Sequence, residues 1–216
     1  MKKSQLEIIL SKLKVFSKPQ LELEQYPLPG KQASDILWTA FQQGDIENKT
    51  IADLGCGTGI LGIGALLLGA KKVYFLDKSQ AAIKIAKENL YFIEKELNIA
   101  LNRKALFLIG DINNFNTKVQ VTIQNPPFGT KTEYIDRVFL EKAMNVSDKI
   151  YSLHKTPTLN FLRKFIGKNH FNLTNRIDFN FPLKQTMHFH RQKIKIIGVS
   201  LIRIERLKKP KKELKI

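Results

Sequence analysis

The sequence predicts an α/β fold: a doubly wound, seven-stranded, mostly parallel sheet closed by a C-terminal antiparallel hairpin. Three observations carry this expectation. Short β-branched runs alternate with stretches of helical period through the middle of the chain. A glycine-rich turn, "DLGCGTG" (Asp53–Gly59), follows the first such run, and the next two runs end on Asp77 and Asp111. Two long segments of period two, "FNLTNRIDFNFPL" and "KIKIIGVSLIRIER", close the chain.

The elements follow in order. "SQLEIILSKLKVF" pairs Ser4 with Glu7 as a capping box and reads as a short helix. "SKPQLELEQYPLPGK" is punctuated by prolines and reads as an extended linker. "ASDILWTAFQQG" is a second helix, stopped at Gly44. Strand "TIADLG" leads to helix "ILGIGALLLG", and strand "KVYFLD" to helix "SQAAIKIAKENLYFIEKEL". Strands "ALFLIGD" and "VQVTIQN" come next, and the second leads to helix "EYIDRVFLEKAMNV". Strand "KIYSLH" and helix "TLNFLRKFIGK" precede the closing pair. We expect residues 1–48 to pack as a helical and linker segment on the main α/β domain at 49–206, with a basic tail at 207–216.

A chain of 216 residues can bury one full core. Its single cysteine, Cys56, excludes an internal disulfide and a cysteine metal cluster within the chain. The apolar run Ile8–Leu10 is too short for a signal segment, and no stretch approaches a membrane span. The expectation is a soluble cytoplasmic protein. Of the net charge of +17, residues 151–216 hold 16 Lys/Arg against three acids, a net of +13. Such asymmetry points to a polyanion, most simply nucleic acid.

Gly55, Gly57 and Gly59 let the backbone turn tightly and approach a ligand. Gly57–Gly62 formally fits G-x-G-x-x-G, which keeps a nicotinamide enzyme open. Asp77 at a strand end can take both ribose hydroxyls of either cofactor, and Asp111 can accept from an adenine amino group. "NPPF" (Asn125–Phe128) ends the fourth strand, beside the glycine turn. Pro126 and Pro127 fix φ and give up their N–H groups, so the acceptors of Asn125 and Pro126 point in set directions beside the Phe128 ring. That corner suits a planar group bearing an NH2.

With Asp53 before it, the glycine run resembles motif I of class I S-adenosylmethionine methyltransferases. N-P-P-F is similar to motif IV of amino-group methyltransferases, which act on adenine, cytosine, guanine or glutamine amides. "LEQYPLPG", "NPPFGTK" and "YSLHK" together resemble the methyltransferase-like five family, adenine-N6 methyltransferases of small-subunit ribosomal RNA. The likeness runs from Leu23 to Ile204. It implies S-adenosylmethionine as cofactor, with Gln25 and Leu28 over it and Gly55, Thr58, Ile60, Asp77, Asp111 and Ile112 around it. Asp53 and Gly59 belong to the same turn. The family commonly has threonine where Leu28 stands, and cysteine where Thr58 stands. The resemblance gives Asn125, Pro126, Pro127 and Phe128 the catalytic corner. It also implies a small zinc-ribbon activator protein along the third strand, Ala105–Ile109, whose uncharged face lacks the usual protection of an open edge.

Lys131 follows the corner, and His154 and Lys155 end the fifth strand, where they would border the substrate and contact RNA. "MHFHRQK" interleaves His190, Arg191 and Lys193 with Phe189, a mixture suited to stacking and phosphate contact. His188 and His190 lack a further ligand cluster, so no metal is expected. Two other readings remain: a guanine-N2 or protein-glutamine methyltransferase using the same corner, and a non-catalytic RNA-binding factor on the same fold. The intact NPPF disfavours the factor, and the basic C-terminal third disfavours a protein substrate.

Overall fold

The computed structural model describes residues 1–17, 27–128, 134–184 and 194–207. Gln25, Lys131, His190, Arg191 and Lys193 lie outside the described residues. The strands are β1 (Thr50–Leu54), β2 (Lys72–Asp77), β3 (Ala105–Ile109), β4 (Val121–Gln124), β5 (Lys149–Lys155), β6 (Phe171–Lys184) and β7 (Ile194–Arg206). They form one sheet in the order β3-β2-β1-β4-β5-β7-β6. β1 to β5 pair in parallel, and β7 runs antiparallel to both β5 and β6. The expected seven strands and closing hairpin are therefore present. The order turns back between β1 and β4, which opens a crevice beyond their carboxyl ends.

The inner strands are buried on both faces, which is why they read as continuous apolar runs rather than alternating ones. One face packs against α1 (Lys3–Ser11), α2 (Gly30–Gln42), α3 (Ile60–Leu67) and α4 (Gln80–Leu97). Leu10, Leu37, Ile63 and Ile93 meet Ile51, Phe75 and Val121 there. The other face packs against α5 (Ile135–Val146) and α6 (Leu159–Lys168), where Leu140, Met144 and Leu162 meet Leu54, Ile150 and Ile202. Each such side chain, fully buried, contributes roughly 1.5–3 kcal/mol.

Two local expectations need correction. The first helix starts two residues earlier than a Ser4–Glu7 box would set it. Its N-cap is Lys2, whose backbone N–H donates to Gln5 Oε1 at 2.8 Å. α2 likewise begins at Gly30 rather than Ala33, because Pro29 already holds the extended N-cap conformation. Gly30 also lets α2 start against the end of α1, since a Cβ there would sit 2.3 Å from Ser11 Oγ.

At the opposite end from the crevice, Asp45 is wholly buried and accepts from Tyr151 Oη at 2.7 Å and Arg203 Nε at 2.9 Å. Lys149 Nζ completes the cluster at 2.5 Å. This network pins the loop after α2 to β5 and β7. Burial and the neighbouring Asp45 carboxylate both hold the Tyr151 hydroxyl in its protonated form.

Candidate active site

The crevice beyond β1 and β4 is a cleft with an empty volume of about 1170 Å³, its open mouth included. Its floor is the turn after β1. Gly55, Gly57 and Gly59 all have positive φ, at 68°, 54° and 85°, a region that a side chain would strain. Gly55 and Cys56 both donate their N–H to Leu76 O, at 2.8 and 2.9 Å, so the turn is stitched to the end of β2.

Asp77 clamps the same turn. Its Oδ2 accepts Gly57 N–H at 2.9 Å, and its Oδ1 accepts Ser79 N–H at 2.8 Å. Burial raises the Asp77 carboxyl above the usual carboxylate range, and these backbone hydrogen bonds only partly offset it. Each oxygen keeps lone pairs for a ligand. Asp53 is 1% exposed and accepts Gly62 N–H at 2.8 Å. Burial pushes its pKa to about 7, the Gly62 hydrogen bond opposes the shift, and the Asp77 charge adds to it. Asp111 is exposed, and its Oδ1 caps the following short turn by accepting Asn113 N–H at 2.8 Å.

On the facing wall, Pro126 is buried and Phe128 is 6% exposed. Among the described residues, Asn125 Oδ1 is buried with no hydrogen-bond partner. A buried acceptor without a donor is costly, and Asn125 stands among the residues that line the cleft.

The structure brings most of the sequence-expected residues to one cleft. Leu28, Asp53, Gly55, Thr58, Ile60, Asp77, Asp111 and Ile112 line it together with the whole Asn125–Phe128 corner. Gly59 shapes the turn from behind as the N-cap of α3. Leu28 offers an apolar, 5% exposed wall.

His154 is a correction. Its side chain is wholly buried, so it does not touch RNA directly as expected. Its Nδ1 faces Asp136 Oδ2 at 3.2 Å, and its Nε2 faces Ser152 Oγ at 2.8 Å. Gln124 Nε2 donates to the same Ser152 Oγ at 2.9 Å. The Asp–His–Ser order matches a hydrolase triad, but Ser152 is wholly buried and no substrate reaches it. Lys155, one residue on, is part-exposed.

Sequence reasoning missed Phe16, Val138 and Phe139, which also line the cleft. Val138 and Phe139 stand three and four residues after Ile135, which also lines the cleft, a helical spacing that is visible in the sequence. Phe16 carries no local signal. Among the described residues no cluster of His, Cys, Asp or Glu could hold a metal, and no helix is long and apolar enough to cross a membrane.

The family model for ribosomal protein L11 methyltransferase (PrmA) matches residues 36–125. That segment spans the cofactor-side wall and stops at Asn125, before the two prolines. The chain is 37% identical over 214 residues to an uncharacterised protein of Methanocaldococcus jannaschii, covering 95% of each. It is 34% identical to the rRNA N(6)-adenosine-methyltransferase METTL5 of Danio rerio, over 94% of this chain and 98% of that one. Among solved structures, a candidate RNA methyltransferase from Pyrococcus horikoshii superposes with a TM-score of 0.86 and 40% identity, over 96% of this chain and 99% of the other.

Proposed function

Because this chain belongs to the methyltransferase-like five family of rRNA N6-adenosine methyltransferases, we infer that it methylates the N6 amino group of adenine in RNA, with small-subunit ribosomal RNA as the substrate. S-adenosylmethionine is its cofactor, and it supplies an electrophilic methyl on a sulfonium sulfur. The residues present fit that group. Asp77 and Asp111 stand at strand ends as acceptors for ribose and adenine, and the positive-φ glycines leave backbone room beside them.

The single observation that carries the reaction is Asn125 in the cleft-lining corner, its buried Oδ1 without a partner among the described residues. The exocyclic amine of adenine is a poor nucleophile because its lone pair is delocalised into the ring. Asn125 Oδ1 and the Pro126 carbonyl would accept its two N–H bonds, favour a pyramidal nitrogen and aim the lone pair across the cleft. Phe128 would stack on the base. No strong base is required, since the nitrogen becomes acidic as it is alkylated.

Incubating the purified chain with ribosomal RNA and labelled S-adenosylmethionine, followed by nucleoside mass spectrometry, tests this. N6-methyladenosine is expected. N2-methylguanosine, or label in protein, would overturn it.

We also propose a protein partner at the outer edge of the cofactor half. β3 ends the sheet, and Ile109 on it is 57% exposed. Tyr91 and Phe92, on the helix that packs this part of the sheet, are 62% and 40% exposed. An apolar edge strand beside exposed aromatics supports strand addition by a small activator, the zinc-ribbon protein that the family resemblance implies.

A further inference from the structure

α4 buries Ala82, Ile83, Ala86, Leu90 and Ile93 against the sheet, and Asn89 stands in the middle of that apolar stripe. Its side chain is wholly buried. A leucine would fill the same volume without the cost of removing an amide from water. The amide is instead fully used. Asn89 Oδ1 accepts Lys14 N–H at 2.8 Å, and Nδ2 donates to Lys14 O at 3.0 Å and to Thr58 O at 2.9 Å. Two donors and one acceptor at this reach are the signature of an asparagine; an aspartate would bring no donor.

The two segments it joins are adjoining parts of the cleft wall. Thr58 belongs to the glycine turn, and Lys14 lies two residues before Phe16 on the N-terminal arm. Both Phe16 and Thr58 line the cleft. The Phe16 ring comes within 3.8 Å of where a Cβ on Gly57 would stand, so the arm lies directly on the turn. Beside the amide, Leu13 of the arm is buried in the core, and the ion pairs that join the arm to α4, Lys12–Glu96 and Lys14–Glu88, are exposed. Pairs of that kind hold weakly. The directional contact is the buried one.

We propose that Asn89 is a positioning residue for the cofactor: it locks the arm carrying Phe16 to the glycine turn carrying Thr58, and so fixes where Phe16 and the turn stand in the cleft. Asn89 touches neither the cofactor nor the base. The inference rests on the S-adenosylmethionine reading above. It assigns to one side chain the coupling between the N-terminal segment and cofactor affinity.

Asn89→Leu and Lys14→Pro test it on the full chain. The first removes the amide; the second keeps Asn89 and removes the arm's N–H donor at an exposed position, together with the weak surface pair Lys14–Glu88. Binding of S-adenosylmethionine is measured by calorimetry, and methylation of ribosomal RNA by initial rates. In both variants the Kd and KM for S-adenosylmethionine should rise about tenfold, the scale of one or two positioned hydrogen bonds. kcat should stay within about threefold and the KM for RNA should not move, a split that general loosening of the fold would not give. Should Asn89→Leu fail to fold, Lys14→Pro decides on the same terms. Parent-like cofactor binding in a folded variant overturns the positioning role alone. Absence of binding by the unmodified chain overturns the cofactor reading with it.

Discussion

His154 Nδ1 lies 3.2 Å from Asp136 Oδ2, which ties the end of β5 to the first turn of α5. Burial alone would raise the Asp136 carboxyl, but the His154 hydrogen bond and charge hold it below the usual range. Its folded-state pKa is depressed, so its contribution to stability is complete above the unfolded value of about 4 and is lost as pH falls through the folded value. His154→Ala should destabilise the chain by roughly 1–3 kcal/mol at pH 7, because Ser152 and Asp136 lose a partner in a buried setting. Urea unfolding measures it. The same variant should leave the salt dependence of RNA binding unchanged; a shallower dependence would return His154 to the RNA surface.

Asn125 and Asp77 should separate chemistry from binding. Asn125→Ala is expected to lower the rate of methyl transfer by roughly 10²–10³ while cofactor affinity holds, by analogy with loss of one positioned donor at a developing charge. Asp77→Ala should weaken cofactor binding first, since it frees Gly57 N–H as well as removing the ribose acceptor. Calorimetry and single-turnover rates on the two variants distinguish them. Loss of cofactor binding in Asn125→Ala would place that residue in the wrong wall.

Asp53 sets a pH dependence of the opposite sign to Asp136. Its folded-state pKa, about 7, lies above its unfolded value, so the stability it contributes is fully present below about pH 4 and is lost as pH rises through 7. Asp53→Asn keeps an acceptor for Gly62 N–H and cannot ionise. Its stability should fall less than the parent's between pH 4.5 and pH 8, by an amount on the order of a few kcal/mol. Parallel urea midpoints across that range would mean Asp53 does not titrate as a buried acid.

The partner surface is tested at Ile109. Lysine there should abolish capture of a zinc-ribbon activator and leave cofactor affinity of the isolated chain within about twofold, since a charge on an exposed edge blocks strand pairing without disturbing the core. Undiminished capture, with a fully active chain on its own, would remove β3 from the interface.

The basic C-terminal third should govern RNA affinity. Charge reversal at Lys155 together with Lys164 and Lys168, all at least part-exposed, should flatten the plot of log affinity against log salt. Each phosphate left without its cation lowers the slope by about one. An unchanged slope would assign the excess charge to solubility.

What the sequence determined by itself is what short-range physics can specify. The glycine turn was legible because only glycine adopts its three positive-φ positions readily, and NPPF because two prolines fix the backbone wherever they occur. The sheet was legible because strands buried on both faces must alternate with amphipathic helices. The start of α1 was misread at the same local level, because Gln5 offers the N-cap backbone the partner expected of Glu7. The tertiary structure decided the rest. His154 reads as an exposed strand-end histidine until α5 lays Asp136 over it. Phe16 and Asn89 join the cofactor wall only because the N-terminal arm returns to α4, with Lys14 and Asn89 75 residues apart in the chain. Such pairings cost loop closure and are fixed by the sum of core packing, so no window of sequence around either residue contains them.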